Sequence, residues 1–260
     1  MVDEKKPLMA TERRERTIEL IAQHGAVRVS ELSELFQVSE VTIRNDLELL
    51  SKQGILIRDR GGAVANPLSH LTVAFVKRAS LHLDQKRRIG LAAAHLVKPG
   101  DTIIMDAGTT LMEMAKNLRN DLSVTVVTNA LNIATHLGTL PDADVILVGG
   151  SLLRGTISTA GPVAECALDD LVVRKTFLGI HSVNEEVGLS DSTLEVARVK
   201  RGMAKAAQQV ILLADSSKWG RVAFAKAIPL SDVDIMITDS GLPEEAQETI
   251  RNLGIELILV

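Results

Sequence analysis

The chain has 260 residues, 46% hydrophobic and 24% charged, a composition of ordinary globular proteins at a length that suggests two domains. Its formal net charge of -4 excludes a protein that coats nucleic acid through bulk positive charge. No run approaches the roughly 20 apolar residues of a membrane helix, and Met1 to Ala10 is charged, so the expected location is the cytoplasm with no membrane partner. The single cysteine, Cys166, cannot pair within the chain and is expected as a packed thiol.

From Thr11 the chain reads as three short helical segments. Their apolar positions are Ile18 and Ile21, then Leu32, Leu35 and Phe36, then Ile43, Leu47 and Leu50. The connections are His24-Gly25-Ala26 and Gln37-Val38-Ser39, the first with a helix-ending Gly and the second with a Ser placed to cap the next helix. In the third segment the apolar set points one way. Val41, Asn45, Glu48 and Lys52 therefore lie on the opposite face, flanked by Thr42 and Arg44.

That face carries side chains suited to a major groove. Arg44 and Asn45 can make paired hydrogen bonds to guanine and adenine edges, while Ser39 and Thr42 at the helix start can hold phosphates. Ile55 to Val64 reads as a hairpin around a Gly-rich turn, a wing with Arg58 and Arg60 projecting. Amphipathic helices alone are equally consistent with a helical cap, since the segment is not basic overall.

Residues 66–83, with Pro67, Ser69 and His70 and no sustained period, read as a linker between domains at 1–65 and 84–260. Beyond it, apolar β-branched runs alternate with helical patterns: Thr102 to Met105, Val124 to Val127, Val145 to Val148, Thr176 to Ile180, Val210 to Ala214, Ile235 to Thr238 and Ile255 to Val260. Such alternation specifies an α/β domain with a mainly parallel sheet.

Ligands of such sheets bind beyond the carboxyl ends of the strands. There the sequence places Asp106-Ala107-Gly108-Thr109-Thr110, whose backbone NH groups and helix start would suit an anion. Thr128 and Asn129, Gly149 and Gly150, and Arg154 follow later strands. Lys200 and Lys218 are candidate cations, with an ordinary solvated lysine as the alternative for each. Any one of these groups is equally a helix cap or tight turn, and the case for a site rests on their recurrence.

The string Val38-Ser39-Glu40-Val41-Thr42-Ile43-Arg44-Asn45-Asp46-Leu47, followed by Gly54 and Arg58 to Ala63, resembles the signature of the DeoR family of repressors. The blocks of the second domain match that family's effector domain, so the resemblance runs from about Arg13 to Val260. It implies a winged helix-turn-helix that binds operator DNA, followed by a domain similar in fold to ribose-5-phosphate isomerase and coenzyme A transferases. It further implies that Asp106, Gly108, Thr109, Thr110, Thr128, Asn129, Gly149, Gly150, Lys200 and Lys218 line a pocket for a phosphorylated sugar, and that Ser39, Val41, Thr42, Arg44, Asn45, Arg58 and Arg60 face DNA. Two departures stand out. Asn45 replaces the usual Arg, as in the branch that regulates amino-sugar and hexitol operons, and His181 stands where a small polar residue is common.

Two other functions compete. An isomerase would use Asp106 or Asp191 as base and a lysine to polarise an oxyanion, but has no use for a winged helix. A scaffold would leave the polar strand ends without a purpose. The six histidines show no metal-ligand spacing, and no cofactor is expected. A palindromic operator calls for a homo-oligomer, a dimer or tetramer.

Overall fold

The computed structural model describes residues 9–52, 54–65, 75, 78–119, 121 and 123–260. The chain divides into two compact units, Met1–Lys77 and Arg78–Val260. Of the expected linker, 66–74, 76 and 77 lie outside the described residues, whereas Arg78 to Ser80 are helical and belong to the second unit. No helix among the described residues is long and apolar enough to cross a membrane.

The first unit runs α1 (Ala10–His24), β1 (Ala26–Arg28), α2 (Val29–Phe36), α3 (Glu40–Lys52), β2 (Leu56–Asp59) and β3 (Gly62–Ala65). Gly25 closes α1, and the Ser39 hydroxyl accepts from the Thr42 NH at 3.2 Å, capping α3 as its position predicts. The wing is a three-stranded antiparallel sheet in the order β1-β3-β2, so the expected hairpin gains a third strand from the short stretch after α1. Ile21, Leu32, Phe36, Ile43, Leu47, Leu50, Ile55 and Leu56 form the core. Leu35, expected among them, is 59% exposed, because α2 buries Val29, Leu32 and Phe36 and turns Leu35 off that stripe. A buried ion pair, Arg13 to Asp46 at 2.6 Å, ties α1 to α3.

The second unit is built on a seven-stranded sheet, all of whose neighbouring pairs are parallel. In chain order its strands are β4 (Thr102–Met105), β5 (Val124–Thr128), β6 (Ala143–Leu147), β9 (Lys175–Gly179), β12 (Val210–Leu213), β14 (Ile235–Thr238) and β15 (Glu256–Leu259), arranged as β15-β14-β12-β9-β4-β5-β6. Every residue of β9, β12 and β14 is buried, as expected when helices cover both faces of a parallel sheet. The helices are α4 (Leu83–His95), α5 (Thr109–Lys116), α6 (Leu131–Leu137), α7 (Pro162–Asp169), α8 (Leu194–Lys205) and α9 (Glu244–Asn252). Two small antiparallel additions carry loops to the strand ends: β7 (Ser151–Leu153) with β8 (Ser158–Ala160), and β10 (Ser182–Asn184) with β11 (Gly188–Asp191) and β13 (Ala225–Lys226). Cys166 is exposed rather than packed: α7 buries Ala164 and Leu168, and the residue midway between them in sequence faces outward.

Candidate functional site

In the first unit the chemistry sits on the outer face of α3. Val41 is 62% exposed, and Arg44, Asn45, Glu48 and Lys52 are exposed beside it. Arg44 pairs with Glu40 and Lys52 with Glu48, both at the i, i+4 spacing. Such surface pairs are weak, so another acceptor can take either cation at little cost. Ser39 and Thr42 share a hydrogen bond of 2.9 Å between their hydroxyls at the start of the helix. On the wing Arg60 is exposed, but Arg58 is half-buried and does not project as expected, because strand alternation turns it towards the unit.

In the second unit the strand ends enclose a cavity of about 250 Å³. Asp106, Gly108, Thr109, Thr110, Asn129, Lys200 and Lys218 line it. Gly108, at φ 150°, precedes α5 and exposes backbone NH groups to the cavity end of the helix. Three expected residues lie outside the lining. Thr128 is fully buried and its hydroxyl accepts from the Ala130 NH at 3.1 Å, closing the turn after β5. Gly149 is exposed and has room for a Cβ, whereas Gly150 serves packing: a Cβ there, at φ +141°, would stand 2.6 Å from the Ala160 carbonyl oxygen. Arg154 is exposed and also outside the lining.

Lys200 is not the free cation that its position suggests. It is 4% exposed, donates to Asp106 and, at 2.7 Å, to the Gly179 carbonyl, and lies 3.6 Å from Asp191. Burial disfavours its charge, but Asp106 and Asp191 outweigh that cost and hold its pKa above the usual lysine value. Asp106 in turn accepts from the Ala107 and Gly179 NH groups at 2.7 and 3.1 Å. The cluster pins the end of β4 to the end of β9 and to α8.

The other cations of the cavity are Arg78, Lys86, Lys218 and Arg221, and the remaining carboxylates are Asp191 and Asp215. With Lys200 and Asp106 included, five cations face three carboxylates. His181 stands exposed at the mouth, its Nδ1 3.0 Å from the Ser182 hydroxyl. Lys86 donates to the Arg78 carbonyl and, at 2.6 Å, to that of Leu81. Burial brings its pKa down to about 8; Asp215 and Glu113 oppose that shift, and Lys218 and Arg78 add to it. Sequence reasoning missed Arg78 and Lys86, the first because it fell in the expected linker. A signal for the second exists: Lys86 shares helical spacing with Ile89, Gly90 and Ala93, which places a lysine on a buried face. Among the described residues no three His, Cys, Asp or Glu side chains are grouped to hold a metal.

Comparison with known proteins covers both units. Residues 13–67 match the model of the DeoR-like helix-turn-helix domain, and residues 81–240 match that of the DeoR C terminal sensor domain. The chain is similar to the HTH-type transcriptional regulator YulB of Bacillus subtilis, with 39% identity over 97% of this chain and 98% of the relative. The glycerol-3-phosphate regulon repressor of Escherichia coli K12 is 34% identical over 96% of this chain and 98% of its own. Among solved structures, the full-length sorbitol operon regulator SorC of Klebsiella pneumoniae aligns over 94% of this chain and 99% of its own, at 13% identity and a TM-score of 0.44. Ribose 5-phosphate isomerase A of Methanocaldococcus jannaschii aligns over 53% of this chain and 54% of its own, at 19% identity and a TM-score of 0.40.

Proposed function

The chain belongs to the DeoR family of transcriptional regulators, and from that premise we propose that it represses a carbohydrate-utilisation operon in the cytoplasm and leaves its operator when a phosphorylated sugar fills the cavity. The charge of that cavity carries the reading. Its five cations against three carboxylates leave a surplus of two positive charges. A phosphomonoester brings about -1.5 to -2 at neutral pH. The Gly108-Thr109-Thr110 start of α5 adds backbone and hydroxyl donors for an anion, and Asn129 adds an amide for the sugar. In this reading Thr128, through the turn after β5, and Gly150, through its approach to Ala160, support the cavity without lining it.

On the DNA side α3 enters the major groove. Arg44 and Asn45 read base edges, Val41 meets a thymine methyl, and Ser39 and Thr42 hold phosphates. Arg60 follows the backbone from the wing, while the half-buried Arg58 is turned away from it. The chain acts as a homo-oligomer, dimer or tetramer, whose paired heads match a palindrome.

The chain is a regulator rather than an enzyme. Asp106 and Asp191, the carboxylates an isomerase would use as bases, are both committed to Lys200.

The test is binding of the full-length protein to DNA upstream of its own and neighbouring genes, at fixed near-physiological salt, with a panel of phosphorylated sugars. Specific binding about a thousandfold or more above nonspecific binding, weakened by one sugar phosphate, is the expected result. No specific site, or no response to any phosphorylated sugar, would sink the reading.

A further inference from the structure

We propose that Lys86 and Arg78 are direct ligands of the effector's phosphate, and that in turning to it they release the backbone carbonyls they hold, which couples cavity occupancy to the chain segment that leads from the DNA-binding unit. The proposal rests on the phosphosugar reading above and adds the route by which the effector acts.

The first argument is the electrostatic state of Lys86. It is 5% exposed, and an ammonium has three donors, yet its hydrogen bonds go to two neutral carbonyls, those of Arg78 and Leu81. The charged groups that face it are Asp215, Glu113, Lys218 and Arg78. Both carboxylates are engaged elsewhere. Asp215 accepts from the NH and hydroxyl of Ser217, and Glu113 pairs with Lys116 at 2.6 Å. The Arg78 guanidinium likewise donates to a neutral group, the carbonyl of Gly155 in the turn between β7 and β8. A buried lysine and an exposed, partly desolvated arginine, both hydrogen-bonded to neutral acceptors, with a third cation nearby and Asp191 facing the arginine, form a site that a dianion stabilises.

The second argument is position. Arg78 is the first residue of the second unit, following Lys77, the last of the first. Lys86 bridges from the first turns of α4 back across residues 78–82, so its side chain fastens the turn through which the chain enters this unit. His82, just before α4, holds the left-handed conformation at φ 53°. A non-glycine residue keeps that conformation only where its surroundings impose it. Phosphate oxygens make stronger, charge-assisted bonds to ammonium and guanidinium groups than carbonyls do. Phosphate in the cavity therefore withdraws the fastening.

The sign with pH follows. Lys86 loses its proton through about pH 8 in the unliganded protein, and a bound dianion raises that value, so binding above pH 8 takes up a proton.

The experiment uses the full-length protein and inorganic phosphate as probe, with calorimetry on both sides of pH 8 and amide exchange over residues 78–83. Wild type should lose about tenfold in affinity per pH unit well above 8, relative to Lys86→Arg, which carries phosphate's own ionisation but keeps its charge. Lys86→Met should bind about tenfold or more weakly than wild type below pH 8, with the difference shrinking as pH rises above it. Exchange over 78–83 should quicken with phosphate in wild type and already be fast without it in Lys86→Met. Equal phosphate affinity in wild type and Lys86→Met below pH 8, or exchange over 78–83 that ignores phosphate, would overturn the proposal while leaving the phosphosugar reading intact. If wild type binds no phosphate at any pH and no sugar phosphate affects operator binding, both fall together.

Discussion

The two units assign side chains to stability and to recognition by different rules. In the first, one helix does both jobs on opposite faces: Ile43, Leu47 and Leu50 are buried, while Val41, Arg44 and Asn45 are exposed and make few commitments to the fold. In the second, the cavity is assembled from residues between Arg78 and Arg221, and its central charged group is also a structural tie. Lys200 lies in the wall of the cavity and joins Asp106, Asp191 and the Gly179 carbonyl across three elements. Where a contiguous helix supplies the site, function can change without the fold. Where strand ends supply it, the two are bound together.

The largest expected effect breaks that binding. Lys200→Met leaves Asp106 and Asp191 buried without their counter-charge, and removing one partner of a buried pair costs about 3–5 kcal/mol. Thermal unfolding of the second unit should fall accordingly, and effector binding should be lost with it. A variant that melts like wild type but no longer binds effector would show that Lys200 serves the ligand alone, against the ion pairs that hold it.

The same contrast explains what the sequence discloses. The periodicity of residues 11–50 displays the helices, their caps and the outward face, because each helix is amphipathic and local. The parallel strands are likewise legible, since the buried central strands read as continuous apolar runs and the more exposed edge strands β6 and β15 still carry apolar residues. Strand β1 and the small sheets at the strand ends are not, because three-residue strands such as Ala26–Arg28 and Ser158–Ala160 carry no period and exist through their partners. Of the cavity, Asp106 and the Gly108-Thr109-Thr110 turn are visible as a loop between a strand and a helix. Arg78 is not, as it lies 77 residues in sequence from Gly155, its carbonyl partner. Gly149 and Gly150 look like ligand loops in sequence, but the approach of Gly150 to the Ala160 carbonyl explains that glycine as packing.

A smaller effect tests separability in the first unit. Arg44→Ala removes a side chain whose surface pair with Glu40 contributes little to the fold. Operator binding should weaken by about 1–3 kcal/mol, with relaxed preference at one base position. Thermal unfolding and effector affinity should both stay at wild-type values. The complementary change, Thr109→Val, should weaken effector binding and spare operator affinity in the absence of effector. A shift of both functions by either variant would contradict separate sites.

The smallest effect falls where the two rules meet in one residue. Ser39 caps α3 by accepting from the Thr42 NH, and it also stands at the helix start, where a DNA phosphate is expected. Ser39→Ala should cost about 0.5–2 kcal/mol of stability in the first unit through loss of the cap. Two further substitutions separate the roles. Ser39→Asp keeps a capping oxygen and adds negative charge, so it should retain stability while repelling the phosphate and weakening binding to all DNA sequences alike. Ser39→Gly costs only a few tenths of a kcal/mol as a cap but supplies no hydroxyl, so it should keep the fold and lose the contact. Melting curves read beside affinities for specific and nonspecific DNA check all three. If Ser39→Asp binds operator as wild type does, the serine is a cap alone, and the division between buried and exposed faces of α3 holds even at its first turn.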